Sequence, residues 1–291
     1  MAGTARVKSP TYDELINEAV RRFREAGIDR PRSEAMMLMI HAFGGSHVAL
    51  ILAGDSCVPT MVEEVFLSAI ERRAAREPAQ HIMGETHFYG LDILTDARAL
   101  IPRSDSECVV TAALDRLPKD GPFWLADLGT GSGCLLTALL VQRPEAIGEG
   151  VEASPEAARL ARANLEKHRL TDRSAIFIGS WEDWQGWGKA DLIISNPPYI
   201  VSEVIGELEP EVRDYEPLMA LDGGLDGLNC YREIIALGAA GMKPGAWLVL
   251  ETGYDQKEAV LRLMTLAGFE SLDSGQDLGG NDRWVAGCRP R

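Results

Sequence analysis

The chain has 291 residues, of which 46% are hydrophobic and 25% charged, as is typical of a globular protein that folds in water. This length favours two domains of unequal size. The formal net charge of −15 disfavours non-specific binding to nucleic acid, which needs lysine and arginine to neutralise phosphates.

The cysteines and histidines give no sign of a disulfide framework or a metal site. The 5 cysteines are scattered without a Cys-x-x-Cys pair, and the 5 histidines lack His-Glu-x-x-His spacing. We therefore expect free thiols, no metal and a reducing cytoplasm. No apolar run approaches the roughly 20 residues that span a bilayer. Residues 1–10 lack the apolar centre of a signal peptide, so we expect no membrane association.

The first 77 residues are predicted to form a small helical domain. Thr11 and Glu14 have the spacing of a capping box, and Gly27 ends the pattern that follows. This first helix has one apolar face, made of Leu15, Ile16, Ala19, Val20 and Phe23. Further helices are predicted near 33–43, 48–52 and 60–70. The apolar stripes indicate a core, and the pattern leaves open whether the domain recognises a substrate or only stabilises the fold.

Residues 78–102 are predicted to be a β-hairpin linker, with two short strands around Gly90. The remaining domain, 103–291, begins with a helical pattern. From residue 123, strands and helices then alternate, which is typical of a mostly parallel sheet with helices on both faces. The predicted strands are 124–128, 146–151, 175–179, 192–195, 247–251, 269–272 and 283–287. The predicted helices are 135–141, 155–168, 231–240 and 255–267.

The tetrapeptide Asn196-Pro197-Pro198-Tyr199 follows a buried, apolar strand. Two successive prolines cannot continue a sheet ladder, because neither has an N–H to donate. The chain must leave the sheet here as a stiff loop. An amide side chain, main-chain carbonyls and an aromatic ring are thereby held at the carboxyl end of a strand, where open α/β sheets bind ligands. Such a loop suits one planar amide or amino group.

A glycine-rich turn connects the first strand of the alternating region to the next helix. It comprises Asp127, Leu128, Gly129, Thr130, Gly131, Ser132 and Gly133. Glycine allows a tight turn and close approach of a ligand, and the helix start offers free N–H groups. The spacing Gly-x-Gly-x-Gly differs from the dinucleotide fingerprint Gly-x-Gly-x-x-Gly, and the Gly-Lys-Ser/Thr of a P-loop is absent. A tight turn without a ligand stays open on this pattern alone.

Two further residues indicate an adenosine-type ligand. Glu152 ends the next strand, where a carboxylate can accept hydrogen bonds from both hydroxyls of a ribose. Trp181 follows the third strand, where an indole can lie against a flat base. At least two of the clustered Trp181, Trp184 and Trp187 are expected to pack in the core.

With these features together, the sequence resembles a class I S-adenosylmethionine-dependent methyltransferase, and Asn-Pro-Pro-Tyr marks members that methylate planar nitrogens. From about Arg72 to the C-terminus the chain resembles the release-factor glutamine methyltransferases. The motifs that carry this likeness are Ile101-Pro102-Arg103 with Asp105 and Glu107, the stretch 211–217, the stretch 223–228 and the stretch 277–283.

The resemblance implies a fold, a reaction and a set of site residues. The fold is α/β, with a doubly wound, mostly parallel, seven-stranded Rossmann-like sheet and a helical N-terminal domain. The reaction is methyl transfer from S-adenosylmethionine to the glutamine amide in the Gly-Gly-Gln loop of peptide-chain release factors. The N-terminal domain would hold the release factor, and the enzyme is expected to be a monomer that does not bind nucleic acid stably.

The site residues implied by the resemblance fall into two overlapping groups. Those expected to bind cofactor are Asp127, Gly129, Thr130, Gly131, Ser132, Gly133, Glu152, Trp181 and Asn196. Those expected to bind substrate are Asn196, Pro197, Pro198, Tyr199 and Arg103, with Asn196, Pro197 and Tyr199 as the catalytic residues.

The chain departs from the family pattern at a few positions. Glu152 stands where the family usually has Asp, and Ser180 stands where Asp often precedes the tryptophan. Ser104 and Ser106 replace Pro and Thr, and Pro-Arg-Ser is also similar to a sister family that methylates a ribosomal-protein glutamine. The C-terminal motif argues against that sister. A DNA adenine methyltransferase would need a basic groove, and a non-catalytic binding module would not need the intact tetrapeptide.

Overall fold

The computed structural model describes residues 9–291, which form one compact unit ending at Gly84 and a second from Glu85 to Arg291. The first unit is helical. Its helices are α1 Tyr12–Glu25, α2 Pro31–Phe43, α3 His47–Ala53, α4 Thr60–Ala74 and α5 Ala79–Met83.

Helix α1 begins at the predicted capping box. The Thr11 N–H donates to Glu14 Oε2 at 2.8 Å, and the Glu14 N–H donates to Thr11 Oγ1 at 3.2 Å. Its apolar face packs against α2 and α4 in one core. The innermost side chains of that core are Phe23, Leu38, Met39, Phe66 and Ile70. The predicted N-terminal helices and their apolar core are therefore confirmed.

Among the described residues, no single helix is long and apolar enough to cross a membrane. Taken together, α2 and α3 would be long and apolar enough, but the two helices meet at an angle of 91°.

The predicted hairpin is present, with β1 Glu85–Phe88 antiparallel to β2 Leu91–Leu94. Gly90 takes a φ of 77° in the turn, a conformation that favours glycine. Helix α5 precedes the hairpin and was not predicted. Five residues are too few to show helical periodicity, and no side chain caps its start.

The second unit contains a seven-stranded sheet with the order β5-β4-β3-β6-β7-β9-β8. Its strands are β3 Trp124–Leu128, β4 Ile147–Glu152, β5 Ser174–Ile178, β6 Leu192–Ser195, β7 Trp247–Glu251, β8 Glu270–Gln276 and β9 Asp282–Cys288. Strands β3 to β7 are parallel, whereas β9 runs antiparallel to both its neighbours. The predicted doubly wound α/β fold is confirmed.

Helices cover both faces of this sheet. They are α6 Glu107–Asp115, α7 Cys134–Gln142, α8 Pro155–Lys167, α10 Asn229–Gly241 and α11 Lys257–Leu266, while the short α9 Pro210–Arg213 lies in the connection between β6 and α10. Because side chains alternate along a strand, Leu192 and Ile194 of β6 share a core with α6 and α7. Ile193 instead joins the core with α10 and α11. A strand buried on both faces favours apolar residues at successive positions, which explains the run from Leu192 to Ile194.

Two regions differ from the predicted elements. Strand β8 continues to Gln276, beyond the predicted Leu272, because pairing with β9 overrides the poor strand propensity of Asp273, Ser274 and Gly275. The connection from β6 to α10 contains 3₁₀ turns at Ser202–Glu207 and Leu218–Ala220 beside α9. Turns this short carry no periodic pattern from which to predict them.

The order of the strands reverses between β3 and β6. Leu128 pairs with Val151 on one side and with Ser195 on the other. The segments that follow β3, β4 and β6 therefore leave the sheet side by side, at the point where α/β folds bind ligands.

Candidate functional site

A cavity of about 390 Å³ opens at the carboxyl ends of β3, β4, β5 and β6. The predicted site residues that line it are Arg103, Gly129, Thr130, Gly131, Ser132, Glu152, Trp181, Asn196 and Pro198. Asp127, Gly133, Pro197 and Tyr199 lie next to these residues in the chain but are not part of the cavity wall. The fold thus brings the glycine turn, the strand-end acid, the tryptophan and the tetrapeptide around one space.

The glycine turn bends back over the end of β4. The N–H groups of Gly129 and Thr130 both donate to the Val151 carbonyl, at 2.8 and 3.1 Å. Gly133, with a φ of 79°, starts α7, and a Cβ there would stand 3.2 Å from the Ala161 backbone in α8. Glycine is needed at this position both for its backbone conformation and for the close packing of α7 against α8.

Glu152 is 7% exposed and holds the turn in place. Its Oε2 accepts from the Gly131 N–H at 2.8 Å, and its Oε1 accepts from the Ser154 N–H at 2.9 Å. Each carboxylate oxygen has a second lone pair. Glu152 can therefore order the two loops and still accept hydrogen bonds from a ligand in the cavity.

Asp127 lies beneath the turn and is completely buried. Its Oδ2 accepts from Thr130 Oγ1 at 2.6 Å, and its Oδ1 has no partner among the described residues. Burial raises the pKa of Asp127 to about 7, with a smaller contribution from the charge of Glu152 and against the opposing hydrogen bond from Thr130. The Asp127 carboxyl group therefore helps to hold the glycine turn in place, through its hydrogen bond with Thr130.

We expect Asp127 to make the stability of the protein depend on pH. The pKa rises from 3.8 to about 7 on folding, so between these values the folded protein keeps a proton that the unfolded chain has lost. The stability contributed by this proton is complete below pH 4 and lost as the pH rises through 7. Asp127→Asn removes the titration. Its free energy of unfolding relative to wild type should therefore improve by roughly 4 kcal/mol between pH 4 and pH 8. Urea unfolding across this range tests the prediction, and a difference that is constant with pH contradicts it.

The three clustered tryptophans have different environments. Trp184 stacks on Trp124 with ring centroids 5.8 Å apart and meets Trp187 edge to face at 5.4 Å. Both Trp184 and Trp187 are buried, which confirms that two of the three pack in the core. Trp181 lines the cavity, and its carbonyl accepts from Trp187 Nε1 at 3.0 Å. Beside it, Ser180 Oγ caps the Glu182 N–H at 3.0 Å.

The tetrapeptide begins where β6 ends. Asn196 is half-buried on the cavity wall, and Pro197 behind it is buried. Within residues 9–291, the Asn196 side chain makes no hydrogen bond, and the Pro197 carbonyl accepts none. The Asn196 side chain is therefore an unpaired acceptor on the cavity wall, and the Pro197 carbonyl is an unpaired acceptor next to it in the chain.

Tyr199 turns away from the cavity toward the end of β7. Its O–H donates to Glu251 Oε1 at 3.5 Å, and its carbonyl accepts from Gln256 Nε2 at 2.9 Å. Burial raises the pKa of the Tyr199 phenol, and the nearby charge of Glu251 raises it further, so the phenol stays neutral. Glu251 is 2% exposed, and burial raises its own pKa to about 7.

Arg103 lines the cavity and is held by an ion pair. Its Nη2 donates to both oxygens of Glu216, at 2.9 and 2.8 Å. The Glu216 side chain is fully buried and also accepts from the Ile101 N–H at 3.3 Å. Burial raises the Glu216 pKa, while Arg103 opposes that rise. The pair joins the segment before α6 to the connection between β6 and α10, and both contribute to the cavity wall.

Glu216, Glu251 and Gln256 were not predicted as site residues. Glu216 lies within a motif that carries the family resemblance, but nothing in its neighbours indicates a buried ion pair. Glu251 had a usable signal, because it ends an apolar strand, as Glu152 does. Gln256 lies in a polar stretch with no distinguishing pattern. Within the described residues, no group of three or more His, Cys, Asp or Glu is placed to hold a metal.

Comparison with known proteins gives two family matches. Residues 14–84 match the PrmC N-terminal domain family, and residues 110–207 match the methyltransferase small domain family. The fold is similar to that of the hMettl16 catalytic domain, with a TM-score of 0.55 and 15% identity over 78% of this chain and 81% of that one.

Full-length relatives agree with these matches. The chain is 39% identical to the release factor glutamine methyltransferase of Caulobacter vibrioides, over 92% of this chain and 93% of that protein. It is 42% identical to that of Geobacter sulfurreducens, over 90% of this chain and 91% of that protein. This degree of identity over nearly the whole length shows that the chain belongs to the release factor glutamine methyltransferase family.

Proposed function

We propose that this protein transfers a methyl group from S-adenosylmethionine to the side-chain amide nitrogen of the glutamine in the Gly-Gly-Gln loop of peptide-chain release factors. The observation that carries the proposal is the unpaired Asn196 side chain on the cavity wall, followed directly in the chain by the unpaired carbonyl of the buried Pro197. A primary amide has two N–H groups, and these acceptors match them in number.

The cavity residues fit S-adenosylmethionine, which when bound supplies an electrophilic methyl group on a sulfonium sulfur. The Glu152 carboxylate offers lone pairs to the ribose hydroxyls, and the Trp181 indole offers a flat face to the base. The turn from Gly129 to Gly133 lets the main chain approach a ligand closely, but its N–H groups at Gly129, Thr130, Gly131 and Gly133 are already bonded within the protein.

The glutamine nitrogen that receives the methyl group needs orientation more than activation by a base. The lone pair of a glutamine amide is delocalised into its carbonyl, which makes it a poor nucleophile. Hydrogen bonds from its two N–H groups to Asn196 and Pro197 fix the NH₂ group and direct the lone pair toward the methyl carbon. Proximity and orientation of this kind can contribute roughly 7–11 kcal/mol. The methylated amide is acidic enough to lose its extra proton to water after transfer.

The N-terminal unit is proposed to bind the body of the release factor. Apolar side chains on α3 and α4 are exposed to solvent, namely Val48, Ile51, Leu52, Met61 and Val65. Exposed apolar groups concentrated on two neighbouring helices in the chain are typical of a protein-binding surface. Because release factors act in translation, we place the reaction in the cytoplasm, with the enzyme as a monomer that does not bind nucleic acid stably.

A labelling assay tests the proposed function. Purified protein with radiolabelled S-adenosylmethionine should label a release factor, and Gln→Ala in the Gly-Gly-Gln loop should remove the label. Parallel reactions with ribosomes and with DNA separate this substrate from the ribosomal-protein and DNA alternatives. Labelling that persists after Gln→Ala would overturn the substrate assignment.

A further inference from the structure

Tyr199 is held at both ends by side chains from outside the tetrapeptide. We propose that Glu251 and Gln256 are positioning residues for the reaction, because together they fix Tyr199 and so set where the Asn196 and Pro197 acceptors stand. This inference rests on the proposed function, in which those two acceptors orient the substrate amide.

The first contact is at the phenol. Glu251 is the last residue of β7, and Leu250 pairs with Ser195, so Glu251 lies beside Asn196 in the next strand. Its Oε1 accepts from the Tyr199 O–H at 3.5 Å, while its Oε2 has no partner among the described residues. Its main chain is fixed as well, because the buried Tyr231 O–H donates to the Glu251 carbonyl at 2.9 Å. The Tyr199 phenol therefore donates to a residue whose backbone is held in place.

The second contact is at the main chain. Gln256 Nε2 donates to the Tyr199 carbonyl at 2.9 Å and to the Gly227 carbonyl at 3.3 Å. Its Oε1 accepts from the Gly253 N–H at 3.1 Å. If the Gln256 amide were rotated by 180°, its oxygen would face the two carbonyls and its NH₂ group would face the Gly253 N–H. Only the observed orientation therefore satisfies all of its partners.

The connection between β6 and α10 closes around the same residue. A Cβ on Gly227, whose φ is 71°, would stand 2.5 Å from the Tyr199 carbonyl oxygen. A Cβ on Gly223 would stand 2.7 Å from Tyr199 Cα. The connection also hydrogen-bonds to the next residue, since the Gly223 N–H donates to the Ile200 carbonyl at 2.8 Å. Tyr199 is thus enclosed on the side away from the cavity, whereas Asn196 and Pro198 of the tetrapeptide line the cavity.

The position of Tyr199 determines the position of the two acceptors, because two prolines connect them. Pro197 and Pro198 have fixed φ angles and no N–H, so they transmit the position of Tyr199 to the acceptors with little internal freedom. A shift of about 1 Å in an orienting group can cost roughly 100-fold in rate. Loss of either contact should therefore lower kcat, while cofactor binding, which depends on the glycine turn and Glu152, should be unaffected.

A double-mutant cycle tests the role of Glu251. Glu251→Leu and Tyr199→Phe should each lower kcat on the release factor by roughly 10- to 100-fold. The double variant should be no slower than the worse single variant, because Glu251 acts through the phenol. Glu251→Gln keeps an acceptor for the phenol and should recover most of the lost rate. Independent, multiplicative losses, or a Gln variant as slow as the Leu variant, would overturn the proposal.

Gln256→Met provides a second test of the proposal, and it leaves the buried Glu251 unchanged. It removes the side-chain hydrogen bonds with the Tyr199 and Gly227 carbonyls and with the Gly253 N–H at similar side-chain length. It should also lower kcat by roughly tenfold or more, with the dissociation constant for S-adenosylmethionine unchanged. Glu258→Gln, at a side chain 86% exposed in the first turn of α11, is the matched control and should leave kcat unchanged. Wild-type protein that fails to label a release factor would refute the proposed function. Active wild type with an equally active Gln256→Met would refute this inference alone.

Discussion

Asn196→Ala is expected to reduce kcat by at least roughly 10²–10³-fold, the range lost when one preorganised hydrogen-bonding group is removed from an active site. The variant loses one of the two acceptors that orient the substrate amide, so the lone pair is no longer directed at the methyl group. The dissociation constant for S-adenosylmethionine should change little, because Glu152 and the glycine turn remain. Single-turnover labelling of a release factor and calorimetric titration of the cofactor measure the two quantities separately.

Asn196→Asp is the matched control for this prediction. It keeps an oxygen acceptor of the same reach and should retain more activity than Asn196→Ala, although its charge alters the approach of the sulfonium. If Asn196→Ala instead weakens cofactor binding and leaves kcat intact at saturation, then Asn196 is a cofactor residue and the orientation mechanism is wrong.

Glu152→Ala is expected to have the complementary effect, weakening cofactor binding by roughly 10- to 100-fold. A hydrogen bond to a charged group contributes about 1.5–3 kcal/mol. Alanine removes the acceptor for the ribose hydroxyls. It also releases the Gly131 N–H from its 2.8 Å hydrogen bond, which loosens the turn over the cavity. Saturating S-adenosylmethionine should restore most of kcat.

Calorimetric titration of the cofactor measures the affinity, and kcat at saturating cofactor measures the turnover. Glu156→Ala serves as the control, because Glu156 is an exposed carboxylate on the adjacent helix that lies outside the cavity wall. A Glu152→Ala variant with wild-type affinity and low kcat would reverse the roles given to Glu152 and Asn196.

Three parallel strands of the sheet carry an acid at or next to their last residue, and the three acids have different roles. Asp127 is buried beneath the turn, Glu152 lies on the cavity wall and Glu251 receives a phenol. The sequence around each is similar, an apolar strand with a carboxylate near its end, and this local pattern does not distinguish the three. Only Glu152 lines the cavity, because neighbouring segments cover the other two.

The elements that the sequence determined are those set by local chemistry. The strands and helices of the α/β region follow from apolar patterns that bury one or both faces, and the capping box at Thr11 needs only four consecutive residues. The tetrapeptide at the end of β6 and the turn at the end of β3 were placed on one sheet edge because parallel strands put their carboxyl ends together.

Tertiary structure alone decided which side chains complete the site. Arg103 and Glu216 are 113 residues apart in the chain, and Tyr199 and Glu251 are 52 apart. Burial of a carboxylate depends on what several distant segments leave open around it, so neither its partner nor its raised pKa is encoded in the neighbouring residues. The sequence therefore determined the fold and the family, whereas the packing of the connection between β6 and α10 decided how the Asn196 and Pro197 acceptors are held.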